Sequence, residues 1–214
     1  MKPYKTALFD FDGVIADTEP VYDIFWNEMV KKYGISTPDF AHVIKGQTMP
    51  RIMEIYLAGY SEEIKQDILR ESLEYEEQMP LPAMPGSLEF IRLLKENGVQ
   101  TGLVTSSDQK KTDRAFLSLD MKGLFDTVVT AGRITKGKPD PMCYLLAASD
   151  LHISPKDCVV FEDSFAGIQA GTAAGMRVIA LATTNPCEAL QGKACKVIPN
   201  FENMGIEDYR AMTE

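Results

Sequence analysis

The chain has 214 residues, 45% of them hydrophobic and 25% charged, with a formal net charge of -9 at pH 7. That length buries a sizeable core and suits one domain, or one domain carrying an insert. The acidic balance argues against nucleic acid or an anionic membrane as the main partner. No run approaches the length of a transmembrane helix, and Met1 to Lys5 leads into the first strand without an apolar signal region. Cys143, Cys158, Cys187 and Cys195 form no CxxC pair and fit no zinc spacing, so reduced thiols and a cytoplasmic location are expected.

Thr6 to Phe9 is a short apolar run without helical period, as in a buried parallel strand. It ends in Asp10-Phe11-Asp12-Gly13. In an extended backbone Asp10 and Asp12 share a face while Phe11 turns to the core, and Gly13 permits a sharp turn. Two carboxylates on one face repel unless a cation, a shared proton or donors offset them. In open α/β sheets ligands sit outside the carboxyl ends of the strands, which is where this pair lies.

From Glu19 to about Pro82 the pattern turns helical. Val21, Phe25, Met29 and Val30 predict a first helix closed by Gly34. Ile52, Ile55 and Tyr56 predict a second, and Ile64, Ile68, Leu69 and Leu73 a third, opened by Ser61 as N-cap. Pro80, Pro82 and Pro85 mark the way back.

Beyond Gly86, helix and strand alternate. Helices are expected over Ser87 to Asn97, Gln109 to Leu119, Pro139 to about Ser149, and from Ser164 to Gly175. Strands are expected over Val99 to Thr105, Phe125 to Thr130, Cys158 to Phe161, Arg177 to Leu181 and near Lys196 to Ile198. Repeated βα units define a doubly wound parallel sheet, a Rossmann-like α/β core. The expected division is residues 1–15 and 84–214 as the core, with 16–83 as an inserted helical domain.

Three more strand ends carry polar groups in the same topological place: Thr105-Ser106, Lys138 within Lys136-Gly137-Lys138-Pro139, and Glu162-Asp163. Taken singly, each has a plain explanation as a helix cap or a solvated loop residue. Together and in this order, Asp10-Phe11-Asp12-Gly13-Val14 with Asp17-Thr18, Thr105, Lys138-Pro139 and Glu162-Asp163-Ser164-Phe165-Ala166-Gly167 resemble the haloacid-dehalogenase-like superfamily. The likeness is to the subgroup of β-phosphoglucomutases and sugar-phosphate phosphatases, whose helical insert forms a mobile cap.

The resemblance implies Asp10 as nucleophile, forming an aspartyl-phosphate, and Asp12 as general acid and base. It implies a Mg2+ site at the Asp10 carboxylate, the Asp12 backbone carbonyl and Asp163, with Glu162 as a further ligand or a nearby support. Thr105 would bond a phosphoryl oxygen, and Lys138 would balance charge. Gly13, Thr18, Tyr22 and Ser106 are expected at the substrate, with Lys45, Gly46 and Arg51 reaching it from the cap. The expected partner is a small phosphorylated metabolite, handled by a monomer.

Two departures bear on the reaction. Where β-phosphoglucomutases carry a histidine after the first motif, this chain has Tyr22, and Arg51 falls two positions later than the mutase's cap arginine. Both favour a phosphatase of sugar or polyol phosphates over a phosphomutase. A dehalogenase would lack the second aspartate, and a non-catalytic binding module would be expected to lose one of Asp10, Asp12, Lys138 or Asp163. His42 and His152 have no sequence partners that suggest a triad or metal site.

Overall fold

The computed structural model describes residues 5–44 and 49–213. Among them, six strands form one parallel sheet in the order β3-β2-β1-β4-β5-β6. The strands are β1 (Thr6–Phe9), β2 (Gln100–Val104), β3 (Thr127–Val129), β4 (Cys158–Glu162), β5 (Arg177–Leu181) and β6 (Lys196–Ile198). β1 is central: Thr6 to Phe9 run beside Gln100 to Leu103 on one side and Cys158 to Phe161 on the other. All four of its residues are buried, which is why it reads as an unbroken apolar run. The chain winds outward from β1 through β2 to β3, then crosses back to β4, so the reversal of direction falls between β1 and β4. At such a point the connections diverge and leave a crevice at the strand ends.

Alternation along the strands sends Leu8, Val160 and Val178 to one face and Phe9 and Phe161 to the other. On the first face they pack with Tyr144 and Ala147 of α7 (Met142–Asp150) and Ile168 and Ala170 of α8 (Phe165–Ala173). On the second, Phe9 stacks on Phe161 with ring centroids 4.8 Å apart, and Phe90 and Phe201 close around Phe161 at 5.8 and 5.4 Å. Phe90 belongs to α5 (Ser87–Glu96). It also meets Tyr209 of α10 (Ile206–Thr213), a helix absent from the sequence expectation. Its signal is short, an apolar face of Ile206, Tyr209 and Met212 at spacing three within one eight-residue stretch. The core also carries α6 (Gln109–Ser118) and the single-turn α9 (Cys187–Leu190), which was likewise unexpected. α7 begins three residues after the expected Pro139, at Met142, behind the Asp140 carboxylate that accepts the Met142 amide.

A second compact unit, Thr18–Pro80, is built of α1 (Glu19–Tyr33), α2 (Phe40–Val43), α3 (Met49–Ile55) and α4 (Glu62–Gln78). Phe25, Trp26, Phe40, Ile52, Leu57 and Ile68 form its own core. Here the expected apolar faces need correction. Leu69 and Leu73 are 40% and 51% exposed and Ile55 is half exposed, whereas Ser72 is buried. α4 turns Ile64, Ile68, Ser72 and Tyr75 inward, and the Ser72 hydroxyl spends its polarity on the Leu69 carbonyl at 2.8 Å. The boundaries also differ from 16 and 83. Ala16 bridges Ala83, and the Asp17 amide donates to the Pro82 carbonyl at 2.8 Å, which ties both residues to the sheet-bearing unit. Among the described residues no helix is long and apolar enough to cross a membrane.

Phe161 is fully buried among three rings, whereas Leu117 is 86% exposed. Phe161→Ala is expected to cost about 3–5 kcal/mol in urea unfolding, against less than about 0.5 kcal/mol for Leu117→Ala.

Candidate active site

Asp10 directly follows β1, and its amide donates to the Phe161 carbonyl at 3.1 Å, one step beyond the last paired strand residue. β4 thereby fixes where its carboxylate stands. Lys138 arrives from the loop between β3 and α7. Its ammonium lies 2.8 Å from Asp10 Oδ1 and 2.6 Å from Glu162 Oε1, and its Nζ donates to the Val104 carbonyl at 3.4 Å. The ring of Tyr144 lies under it, 5.2 Å away at the centroid.

Burial pushes the Asp10 carboxyl up to about 7, with the charge of Glu162 adding and Lys138 opposing. Burial also works against the Lys138 charge, but Asp10 and Glu162 outweigh it and hold its pKa above the ordinary lysine range. For Glu162 burial is likewise overcome, chiefly by Lys138, and its pKa lies below the usual value. Burial raises the Tyr144 phenol well above its normal range, with Glu162 and Asp10 adding to the effect.

Glu162 is fully buried, and both its oxygens are engaged. Oε1 accepts from Lys138 and from the Tyr144 hydroxyl at 3.0 Å. Oε2 accepts from the amides of Asp163 and Ser164 and from Ser164 Oγ, at 2.9 to 3.0 Å. Ser164 Oγ in turn caps α8 by accepting from the Gly167 amide. A side chain at Gly167 would overlap the Glu162 carboxylate, so the close approach requires glycine.

Asp163 follows β4 as Asp10 follows β1. Thr184 Oγ1 donates to Asp163 Oδ2, and Asn185 Nδ2 donates to its carbonyl at 3.0 Å. Gly13, at φ +73°, lies where a side chain would strike the Asp163 carboxylate. Its amide donates to Ala16 and its carbonyl accepts from Thr183 Oγ1. The turn itself therefore uses the polar groups of Gly13, which was expected at the substrate.

Carboxylate oxygens of Asp10, Glu162 and Asp163 lie within 4.8 Å of one another. A compact, all-oxygen, anionic donor set suits a hard divalent cation, so the residues fit Mg2+. Since both Glu162 oxygens are already occupied, Asp10 and Asp163 are the better-placed donors of the three.

Asp12 turns toward the end of β2. Lys111 Nζ bonds both its oxygens, at 2.7 and 2.8 Å, and Ser107 Oγ donates to Oδ2 at 3.0 Å. The Ser107 amide donates to Thr105 Oγ1 at 2.9 Å, and Thr105 is buried where β2 ends. Ser106, the neighbour expected at the substrate, is exposed.

The remaining expected residues belong to the helical unit. Thr18 is buried at the start of α1, its carbonyl accepting the Val21 and Tyr22 amides. Tyr22 donates to Glu76 Oε1 at 2.7 Å. Arg51 is exposed on α3. Lys45 and Gly46 lie outside the described residues.

Sequence reasoning missed Ser107, Lys111, Tyr144 and Thr184. Lys111 alone left a trace: a lysine in the first turn of a helix opposes the macrodipole, so Asp108-Gln109-Lys110-Lys111 asks for a compensating anion.

Asp10 at the end of β1, Lys138 from the β3–α7 loop and the carboxylates of Glu162 and Asp163 after β4 are thus brought together. The family described as haloacid dehalogenase-like hydrolase matches residues 7–181. A validoxylamine A 7'-phosphate phosphatase of Streptomyces hygroscopicus subsp. limoneus is 31% identical over 87% of this chain and 90% of its own. Hexitol phosphatase A of Escherichia coli strain K12 is 33% identical over 83% and 82%. A crystal structure of β-phosphoglucomutase from Clostridium difficile superposes with a TM-score of 0.77 at 26% identity, covering 98% of this chain and 96% of that one. The chain belongs to the haloacid dehalogenase-like hydrolases.

Gly167 lies in a helix, where alanine normally stabilises. Here the overlap with Glu162 reverses the sign. Gly167→Ala is expected to lower stability in urea by about 1–3 kcal/mol. Gly137→Ala, whose side chain meets nothing within 4 Å, should stay within about 0.5 kcal/mol of the parent.

Proposed function

We propose that the protein is a Mg2+-dependent phosphohydrolase of small sugar or polyol phosphates, acting through an aspartyl-phosphate on Asp10. The observation that carries this reading is the buried Asp10–Lys138–Glu162 bridge with Asp163 beside it, at the ends of β1 and β4. The validoxylamine A 7'-phosphate phosphatase and the hexitol phosphatase among the relatives support the substrate class.

In the first half of the reaction an Asp10 oxygen attacks phosphorus. An Asp10–phosphorus bond forms as the ester bond breaks, and the departing oxygen takes a proton from Asp12. In the second half a water oxygen attacks phosphorus and gives its proton to Asp12. The bond to Asp10 breaks, and inorganic phosphate leaves. Each half returns Asp12 to the protonation state the other requires.

Thr105 donates its hydroxyl to a phosphoryl oxygen, and Lys138 offsets charge on both the nucleophile and the phosphoryl group. Glu162, with its oxygens occupied, holds Lys138 in place. Mg2+ held by Asp10, Asp163 and the Asp12 carbonyl would supply the positive charge that admits a phosphate dianion to an anionic pocket.

Asp10→Asn replaces the nucleophile with an amide and is expected to lower phosphate release from a sugar-phosphate panel by at least about three orders of magnitude. Full activity of the purified variant would overturn the mechanism. Chelation with EDTA is expected to abolish phosphate release, and added Mg2+ to restore it. Activity persisting through exhaustive chelation would overturn the metal assignment.

Likeness to a β-phosphoglucomutase structure keeps a phosphomutase as the second reading. β-Glucose 1-phosphate supplied with Mg2+ and catalytic glucose 1,6-bisphosphate separates the two. Phosphate released without isomerised product is the expected result. Glucose 6-phosphate appearing far faster than phosphate would establish the mutase.

A further inference from the structure

Lys111 breaks two local rules. It occupies the first turn of α6, its own amide donating to the N-cap Asp108 at 2.8 Å, where a cation opposes the helix dipole. Its side chain is also 7% exposed, so its ammonium is largely removed from water. The helix dipole and solvation would both place it elsewhere. What its ammonium meets is the carboxylate of Asp12, gripped at both oxygens, with the ring of Phe11 5.7 Å from Nζ.

Ser107 adds a third bond to the same carboxylate, and the Ser107 amide is tied to Thr105 Oγ1. Three hydrogen bonds fix both the position and the plane of a group that one would leave free to rotate. They also fix it against the Thr105 loop, where the proposed mechanism puts the transferred phosphoryl group. Violations of local preference that the surrounding structure compensates concentrate at functional sites.

We propose that Lys111, seconded by Ser107, is a positioning residue for the proton-transferring carboxyl of Asp12. This rests on the phosphohydrolase reading above. It assigns Lys111 no contact with the substrate. Its effect is to keep the Asp12 carboxyl within reach of the leaving oxygen, and it therefore scales with how much that oxygen needs a proton.

The test uses two substrates on one enzyme sample. A sugar phosphate loses an alkoxide that must be protonated, whereas p-nitrophenyl phosphate loses a phenolate stable near neutrality. The reading is the ratio of kcat/KM for the sugar phosphate to kcat/KM for p-nitrophenyl phosphate. Partial misfolding lowers both values alike and leaves the ratio unmoved. Asp12→Ala calibrates the full loss of general acid catalysis, a fall in the ratio of about 100- to 10,000-fold.

Lys111→Met, similar in length but uncharged, is expected to lower the ratio by about 10- to 100-fold. Ser107→Ala should lower it less, in the same direction, and Lys111→Arg should recover part of the loss. An unchanged ratio in Lys111→Met would overturn the inference and leave Lys111 a stabilising residue. A rise in KM shared by both substrates would also overturn it, by making Lys111 a phosphate contact. No shift in Asp12→Ala would remove the general acid and the inference with it. A wild-type protein that turns over neither substrate would instead remove the phosphohydrolase reading itself.

Discussion

An ammonium group largely stripped of water costs several kcal/mol when it stands alone, and Lys138 is kept there by two carboxylates at once. Asp10 approaches from the end of β1 and Glu162 from the end of β4. The bridge therefore spans the point where the winding of the sheet reverses. Removing either acid would leave part of a buried charge uncompensated, so the long β3–α7 connection is tied to the two central strands by electrostatics. Glu162 extends the constraint outward. Its second oxygen binds the turn after β4 and the cap of α8, and Gly167 supplies the space that this requires. Strand ends, loop and helix start are thus held in one register by two carboxylates and a single ammonium.

The same arrangement leaves a charge excess. Asp10, Asp12, Glu162 and Asp163 contribute four carboxylates, against the two ammonium groups of Lys138 and Lys111. Each lysine is assigned to a different aspartate of the first motif. Burial, with the charges of Glu162 and Asp12 adding, raises Asp10 to about 7 even with an ammonium in contact. In the folded chain alone, the Asp10 carboxylate is held near the point of losing its charge. A hard dication among the Asp10 and Asp163 oxygens would shift that balance toward the anion. On the proposed function, such a cation would offset this excess charge before a phosphate dianion enters.

Legibility in the sequence followed burial geometry. β1, β4 and β5 were read within a residue of their observed limits because both their faces are covered, which leaves an unbroken apolar signature. The polar residues after β1, β2 and β4 and in the loop after β3 stood out because each follows its own strand, whereas Thr184 after β5 did not. α4 was misread because a buried serine satisfied by its own helix looks polar in sequence, while two exposed leucines look like core. α10 was too short for its period to stand out. The Lys111–Asp12 contact joins positions 99 apart, and spacing in the sequence cannot reveal such a pair. Only the cost of a lysine at a helix start hinted at it.

The core and the helical unit answer different questions. Forming an aspartyl-phosphate is common to a phosphatase and a mutase, so no residue of the Asp10–Lys138–Glu162 bridge discriminates between them. The difference lies in the second acceptor: water in one case, a sugar hydroxyl in the other. A mutase must suppress water until its sugar arrives, and an imidazole titrates in the range where such gating works. A phenol does not. At Tyr22 the phenol hydroxyl is moreover given to Glu76 Oε1 at 2.7 Å, inside the helical unit itself. On the proposed two-step reaction, a phenol in place of the imidazole leaves water as the acceptor, and hydrolysis is the reading that Tyr22 favours.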